Sequence, residues 1–271
     1  MNSTNEGSRP TLAGRIVTET SESIAWVRID NPQRHNAMSL SMWRELAQHV
    51  AALDASPDVR VLALTGTGRR AFVSGADITE FATLRDSNEQ VIAYEQAVSD
   101  AQNSLATCGK PTVALINGLC MGGGIGLALS CDLRFCTETA RFRMPAARLG
   151  LGYSIAGLRR AVQVLGYANT ADIFFSARNF NGTEAQRLGL VNRCFPDEQF
   201  DLLASAAVNE MGSNAPLTLH AAKQTLRHIL DEDQISSTDV EQAIRACFES
   251  ADYREGQLAF REKRLPVFRG Q

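Results

Sequence analysis

Two periodicities alternate along the chain. Arg15 to Thr20 and Ile24 to Asp30 switch between apolar and polar residues at period two, as half-buried strands do, until Asn31-Pro32 forces a turn. From Ser39 to Asp54 the apolar residues recur at helical spacing, with Ser39 or Ser41 placed to cap the start, and Val59 to Leu64 follows as a β-rich apolar run. Phe72 to Ile78 predicts a short strand running into Gly75-Ala76-Asp77, and Asn88 to Thr107 a long amphipathic helix that Lys110-Pro111 ends. Pro111 to Ile116 and Asp132 to Cys136 are further strands, with a helix over Gly123 to Ser130 between them. This alternation predicts α/β layers.

Beyond Pro196 the pattern is helical only, over Gln199 to Gly212, Ala215 to Leu230, Thr238 to Glu249 and Asp252 to Glu262. A core domain is expected over residues 1–198, with residues 1–12 flexible, and a helical subdomain over residues 199–271. Its amphipathic helices suit a neighbouring chain as well as their own core.

At 271 residues and 44% apolar content, the chain can bury one large core with an appended subdomain. A net charge of −3, with Lys and Arg scattered, gives little support to nucleic-acid binding. No apolar run approaches the roughly 20 residues of a membrane span, and the polar start lacks the apolar centre of a secretory signal. A cytoplasmic protein is expected. Cys108, Cys120, Cys131, Cys136, Cys194 and Cys247 show no CxxC pairing and read as free buried thiols. His35, His49, His220 and His228 form no ligand cluster, so no metal is expected.

Two segments point to chemistry. In Asn117-Gly118-Leu119-Cys120-Met121-Gly122-Gly123-Gly124-Ile125-Gly126, a buried strand leads through glycines into a helix start. Backbone N–H groups without side chains around them, at the positive end of a helix, suit a developing negative charge. The glycines do not fit the GxGxxG dinucleotide fingerprint. In Ala71-Phe72-Val73-Ser74-Gly75-Ala76-Asp77-Ile78-Thr79-Glu80-Phe81, a strand ends, Gly75 permits a sharp turn, and the N–H of Ala76 is left at the start of the next element.

With Asn31-Pro32-Gln33-Arg34-His35-Asn36-Ala37-Met38-Ser39 upstream, Ser130-Cys131-Asp132, Ala185-Gln186-Arg187-Leu188-Gly189-Leu190-Val191, and Phe260-Arg261-Glu262-Lys263-Arg264 near the end, these segments resemble the crotonase (enoyl-CoA hydratase/isomerase) superfamily. The resemblance spans nearly the whole chain. It implies a spiral of ββα units, a C-terminal helical trimerisation region, and a homotrimer or dimer of trimers. It further implies an acyl-CoA thioester as ligand, with coenzyme A entering as part of the substrate and no separate cofactor.

Carried over by resemblance, the N–H groups of Ala76 and Gly123 form an oxyanion hole for the thioester carbonyl, each donor worth about 3 kcal/mol to an enolate. Gly75, Asp77, Ile78 and Gly122 flank those donors and are expected at the substrate. Arg34 and His35 match the loop along the CoA nucleotide, and Lys263 matches a position that approaches the CoA phosphates, often from another subunit. Asp77 also suits a local capping role, and Asp132 and Arg134 read as structural.

The chain departs from the family where hydratases place two glutamates. Gly126 stands at the first position and Ala146, after Pro145, at the second. Neither transfers a proton, and general acid–base catalysis is worth roughly 10²- to 10⁴-fold per group. Tyr153 is the expected substitute and resembles the tyrosine of the methylmalonyl-CoA decarboxylase branch, although that branch has a histidine where this chain has Asp77. Arg143 and Arg148 surround the second vacancy, where either could hold a substrate carboxylate. Tyr94 and Glu95, on the long helix, rank behind Tyr153. Three activities stay open: hydratase/isomerase-like enolate chemistry, decarboxylation of a malonyl- or methylmalonyl-type CoA, and acyl-CoA binding without turnover.

Overall fold

β1 (Arg15–Ser21) and β2 (Ile24–Asp30) make an antiparallel hairpin whose two-residue turn, Glu22-Ser23, has left-handed φ at both positions, the geometry that matches strand twist. The computed structural model describes residues 13–80, 86–230 and 235–271, so the flexible lead expected over 1–12 lies outside the described residues. α1 (Leu40–Ala55), capped by Ser39, buries Met42, Trp43, Leu46 and Val50 on one face. From there the chain alternates between two sheets.

β3 (Val61–Gly66), β5 (Thr112–Ile116), β7 (Leu133–Thr137) and β10 (Arg193–Phe195) extend the hairpin as parallel strands, in the order β1-β2-β3-β5-β7-β10. β4 (Ala71–Val73), β6 (Leu119–Met121), β8 (Arg141–Arg143) and β9 (Phe180–Asn181) form the second sheet, in the order β4-β6-β8-β9. Successive strand pairs thus place one strand in each sheet. The helices that follow the first three pairs are α2 (Asn88–Thr107), α3 (Gly123–Ser130) and α4 (Ala146–Leu149). This is the expected ββα spiral. α5 (Ile155–Ser176), bent at the left-handed Gly166, and α6 (Gly182–Arg187) complete the layer.

The strand expected over Phe72–Ile78 stops at Val73. Gly75, at φ 116°, turns the chain, and Ile78–Glu80 forms a 3-10 turn instead. β6, β8, β9 and β10 were not legible, because two or three residues cannot show a period. β7 begins at Leu133 rather than Asp132, whose carboxylate accepts from the Thr112 N–H and hydroxyl.

α7 (Phe200–Gly212) packs Phe200, Ala204 and Val208 onto Ile24, Val61, Val113 and Phe135 of the large sheet. α8 (Pro216–Leu230), α9 (Ser237–Glu249) and α10 (Ala251–Glu262) follow. α8 is pinned by the buried Lys223, which donates to Asp132 Oδ2 at 2.7 Å and to the Lys110 carbonyl at 2.8 Å. Leu226, Ile229, Leu230, Phe248 and Phe260 on these helices remain exposed. Arg134, buried, donates to the carbonyls of Leu190 and Cys131. Cys108, Cys120, Cys131 and Cys136 are buried, and burial pushes the Cys108 and Cys131 thiols up to about 12. Among the described residues, no helix is long and apolar enough to cross a membrane.

Candidate active site

The loop from Asn31 to Met38 is set by two buried asparagines. Asn36, at φ 56°, donates to the Ala71 and Thr67 carbonyls, and its side-chain oxygen accepts from the Asn31 N–H. This fastens Met38 beside Ala76 as an isolated parallel bridge. Met38 N–H donates to the Gly75 carbonyl, and the Asp77 N–H donates to the Met38 carbonyl, each at 2.9 Å. A parallel bridge occupies the groups on either side of its partner residue. The N–H of Ala76 therefore points away from Met38.

The glycine run supplies the facing element. Gly122 takes φ 50°, and the first α3 hydrogen bond runs from the Gly126 N–H to the Gly122 carbonyl at 3.2 Å. The N–H groups of Gly123, Gly124 and Ile125 therefore have no partner within the helix. Gly124 lets α3 approach β4: a β-carbon there would stand 2.4 Å from the Val73 carbonyl oxygen. A β-carbon on Gly123 would lie 3.9 Å from the Ala76 nitrogen and 3.2 Å from the Trp43 ring. The start of α3 thus lies against Ala76.

One turn further, the space beside Gly126 is occupied. A β-carbon on Gly126 would meet the Gln102 Nε2 at 2.4 Å and the Tyr153 hydroxyl at 3.0 Å. Gln102, on α2, is 6% exposed, and its Oε1 accepts from Arg160 Nη1 of α5 at 3.4 Å, while Arg160 also bonds the Asn103 side-chain oxygen. Tyr153 precedes α5, which starts at Ile155, and its ring packs edge-on to Phe174 at 5.0 Å. Gly157 makes room, since a β-carbon there would lie 2.5 Å from that ring. Burial pushes the Tyr153 phenol up to about 12, against a smaller opposing pull from the nearby Arg160 cation. Tyr153 is therefore a proton-bearing donor at neutral pH.

The remaining expected residues divide. Asp77 is buried, and burial alone would raise its carboxyl, yet bonds from the Thr79 hydroxyl and N–H and the Arg34 guanidinium hold it below the usual range. It caps the 3-10 turn at Ile78–Glu80. Glu80 accepts from the Leu40 N–H at 2.8 Å, at the start of α1. Both carboxylates beside Ala76 thus hold structure in place.

Arg34 pairs with Asp77 and Thr79, and His35, at φ 51°, meets Arg70 at 2.8 Å. Ile78 and Lys263 are exposed, and Lys263 ends α10 in a left-handed conformation. Ala146 is buried at the start of α4. Arg143 donates through Nε to the Ala177 carbonyl, and Arg148 is exposed. Tyr94 is fully buried, its hydroxyl 3.3 Å from the Met38 carbonyl, while Glu95 is exposed. No three His, Cys, Asp or Glu residues among the described ones could hold a metal.

Sequence reasoning missed Gln102 and Arg160. Gln102 was the findable one. It adjoins Ala101 on the face of α2 that also buries Ala97 and Leu105, a polar residue in an apolar stripe.

A family profile described as enoyl-CoA hydratase/isomerase matches residues 19–271. The chain belongs to the enoyl-CoA hydratase/isomerase family. This family member is 31% identical to the peroxisomal Delta(3,5)-Delta(2,4)-dienoyl-CoA isomerase of Arabidopsis thaliana, over 93% of this chain and 95% of that one. It is 29% identical to the short-chain-enoyl-CoA hydratase of Clostridium acetobutylicum, over 92% and 95%. A crystal structure of an enoyl-CoA hydratase/carnithine racemase from Magnetospirillum magneticum superimposes with a TM-score of 0.90 at 33% identity, covering 94% and 96%. The crotonase fold follows directly.

Proposed function

We propose that this enoyl-CoA hydratase/isomerase family member is an enzyme that binds an acyl-CoA thioester and stabilises its enolate through the Ala76 and Gly123 N–H groups. The observation that supports this is the packing of the α3 start against Ala76, with one N–H released by the Met38 bridge and the other by the helix terminus. Enolate formation moves negative charge onto the thioester oxygen, where fixed donors act without reorganising. The reading keeps Gly75, Asp77, Ile78, Gly122, Gly126 and Ala146 along the substrate and Arg34, His35 and Lys263 at the CoA end. It has no separate cofactor, and a homotrimer or dimer of trimers in the cytoplasm covers the apolar faces of α8–α10. The helical subdomain over residues 199–271 is the oligomerisation region.

Hydration in the usual manner is not its reaction. The carboxylates beside Ala76, Asp77 and Glu80, serve local structure, and the Gly126 position holds an amide and a phenol. The Tyr153 hydroxyl beside Gly126 favours a second reading, decarboxylation of a malonyl-type CoA. There the bond to the carboxylate breaks, its electron pair enters the thioester enolate, carbon dioxide leaves, and the phenol donates the proton that the α-carbon takes up.

The test incubates the purified protein with crotonyl-CoA and with methylmalonyl-CoA and follows each by mass spectrometry. Hydration at normal family rates sinks the exclusion of hydration. Carbon dioxide release lost in Tyr153→Phe supports the second reading, and binding without turnover identifies a carrier. No CoA-thioester binding by calorimetry removes all of them.

A further inference from the structure

Gln102, Tyr153 and Arg160 make a cluster of donors, and the carboxylate whose charge reaches the Tyr153 phenol is Glu95 of α2. Arg160 is only partly exposed, and its partners among the described residues are two amide oxygens, not a carboxylate. Burial lowers its pKa, as expected of a cation withdrawn from water without a counter-ion. Gln102 is more than nine-tenths buried, yet its Nε2 donates to nothing among the described residues, because Arg160 holds the other end of the amide and so fixes which end faces Gly126. The Tyr153 hydroxyl is likewise an unspent donor on the same spot.

An amide N–H without a partner and a half-buried cation without a counter-ion among the described residues are both open to one bound anion. Glu95 of α2 is exposed to solvent, and its push on the Tyr153 phenol is smaller than the pull of Arg160.

We infer that Gln102, Tyr153 and Arg160 form a recognition site for a carboxylate on the acyl chain, so that the substrate class is a short dicarboxylic acyl-CoA. Chain length follows from the helix. Gly126 lies three residues beyond Gly123, and such positions are about 5–6 Å apart on one face. A carboxylate one or two carbons beyond the thioester carbonyl spans that distance, as in malonyl or succinyl groups. Longer chains overshoot. The inference rests on the acyl-CoA reading above and adds the identity of the acyl group to it.

The test compares dissociation constants of malonyl-, succinyl- and butyryl-CoA for the full chain by calorimetry. At least one dicarboxylic thioester is expected to bind tenfold or more tighter than butyryl-CoA. Gln102→Glu, nearly isosteric, places a negative charge against Arg160 and should collapse that ratio to one or below. Arg160→Gln should do the same and Arg160→Lys should retain part of it, with circular dichroism confirming that each variant is folded. If butyryl-CoA binds as tightly as both dicarboxylic thioesters, or if the ratio survives Gln102→Glu, the inference falls while the acyl-CoA reading stands. If none of the three binds, both fall.

Discussion

Removing one backbone N–H is the most direct test of the enolate site, and Gly123 is a position where this can be done. Gly123 is the first residue of α3, where proline is tolerated because the N–H it lacks has no helical partner. Gly122 before it adopts φ 50° and ψ −110°. That is glycine's mirror image of the extended region, which a following proline accepts as it accepts the extended region itself. The steric cost is visible: a β-carbon at Gly123 stands 3.2 Å from Trp43 Cζ2 and 3.3 Å from Cη2, so the indole must yield by a few tenths of an ångström.

Gly123→Ala carries that cost and keeps the N–H, whereas Gly123→Pro carries a similar cost and loses it. Loss of one oxyanion donor is worth about 2.7–4 kcal/mol, or roughly 10²–10³ in kcat. The assay is turnover of the best CoA thioester, read by mass spectrometry, with a thermal melt for each variant. Gly123→Pro is expected to fall 10²- to 10³-fold below Gly123→Ala while melting within a few degrees of it. Equal rates for the two variants would show that this N–H is not the donor.

Gly124→Ala drives a β-carbon to 2.4 Å from the Val73 carbonyl oxygen and 2.9 Å from Val73 Cβ. Overpacking costs about 1–3 kcal/mol, and because the clash is with backbone the upper end applies. Helix propensity returns at most about 1 kcal/mol, leaving a net loss of about 2 kcal/mol, so Tm should drop by several degrees, while Gly152→Ala, whose β-carbon meets nothing, leaves it unchanged. An unaltered Tm for Gly124→Ala would refute the close α3–β4 packing. Asp77→Asn tests the loop anchor. Because the folded pKa of Asp77 is lowered below 3.8, its charge contributes stability above the unfolded value and loses it as pH falls through the folded one. The variant should melt lower than the parent at pH 7, with the gap closing below about pH 3.8; a constant gap across that range would show that the charge contributes nothing.

The fold was legible because long elements repeat their period. The stripe Met42, Leu46, Val50 on α1 and the alternation in β1 and β2 decide those elements locally. Beyond β4 the second sheet was hidden, since β6 and β8 have three residues each and owe their conformation to pairing between successive turns of the spiral. At the site, glycines announced the N–H groups because a backbone role needs no side chain. The side chains gathered beside Gly126 could not be read from the glycine run, as Gln102 and Arg160 come from α2 and α5, 24 and 34 residues from Gly126 in sequence. Only tertiary packing brings Gln102 and Arg160 to one spot.

That same packing weighs on which chemistry the site favours. Decarboxylation transfers charge from the carboxylate to the thioester oxygen, so donors at the oxygen speed it and a cation at the carboxylate slows it. At an effective dielectric of about 20, a guanidinium touching the carboxylate stabilises it by roughly 4 kcal/mol. Two backbone donors at the oxygen offer about 6 kcal/mol in the opposite sense. A grip by Arg160 would therefore cancel most of the oxyanion advantage if the carboxylate were the leaving group. It cancels none of it if the carboxylate is a handle that stays attached while a proton moves at the α-carbon. With Arg160 at the far end from Ala76 and Gly123, the electrostatics favour enolate chemistry in which the second carboxylate is retained.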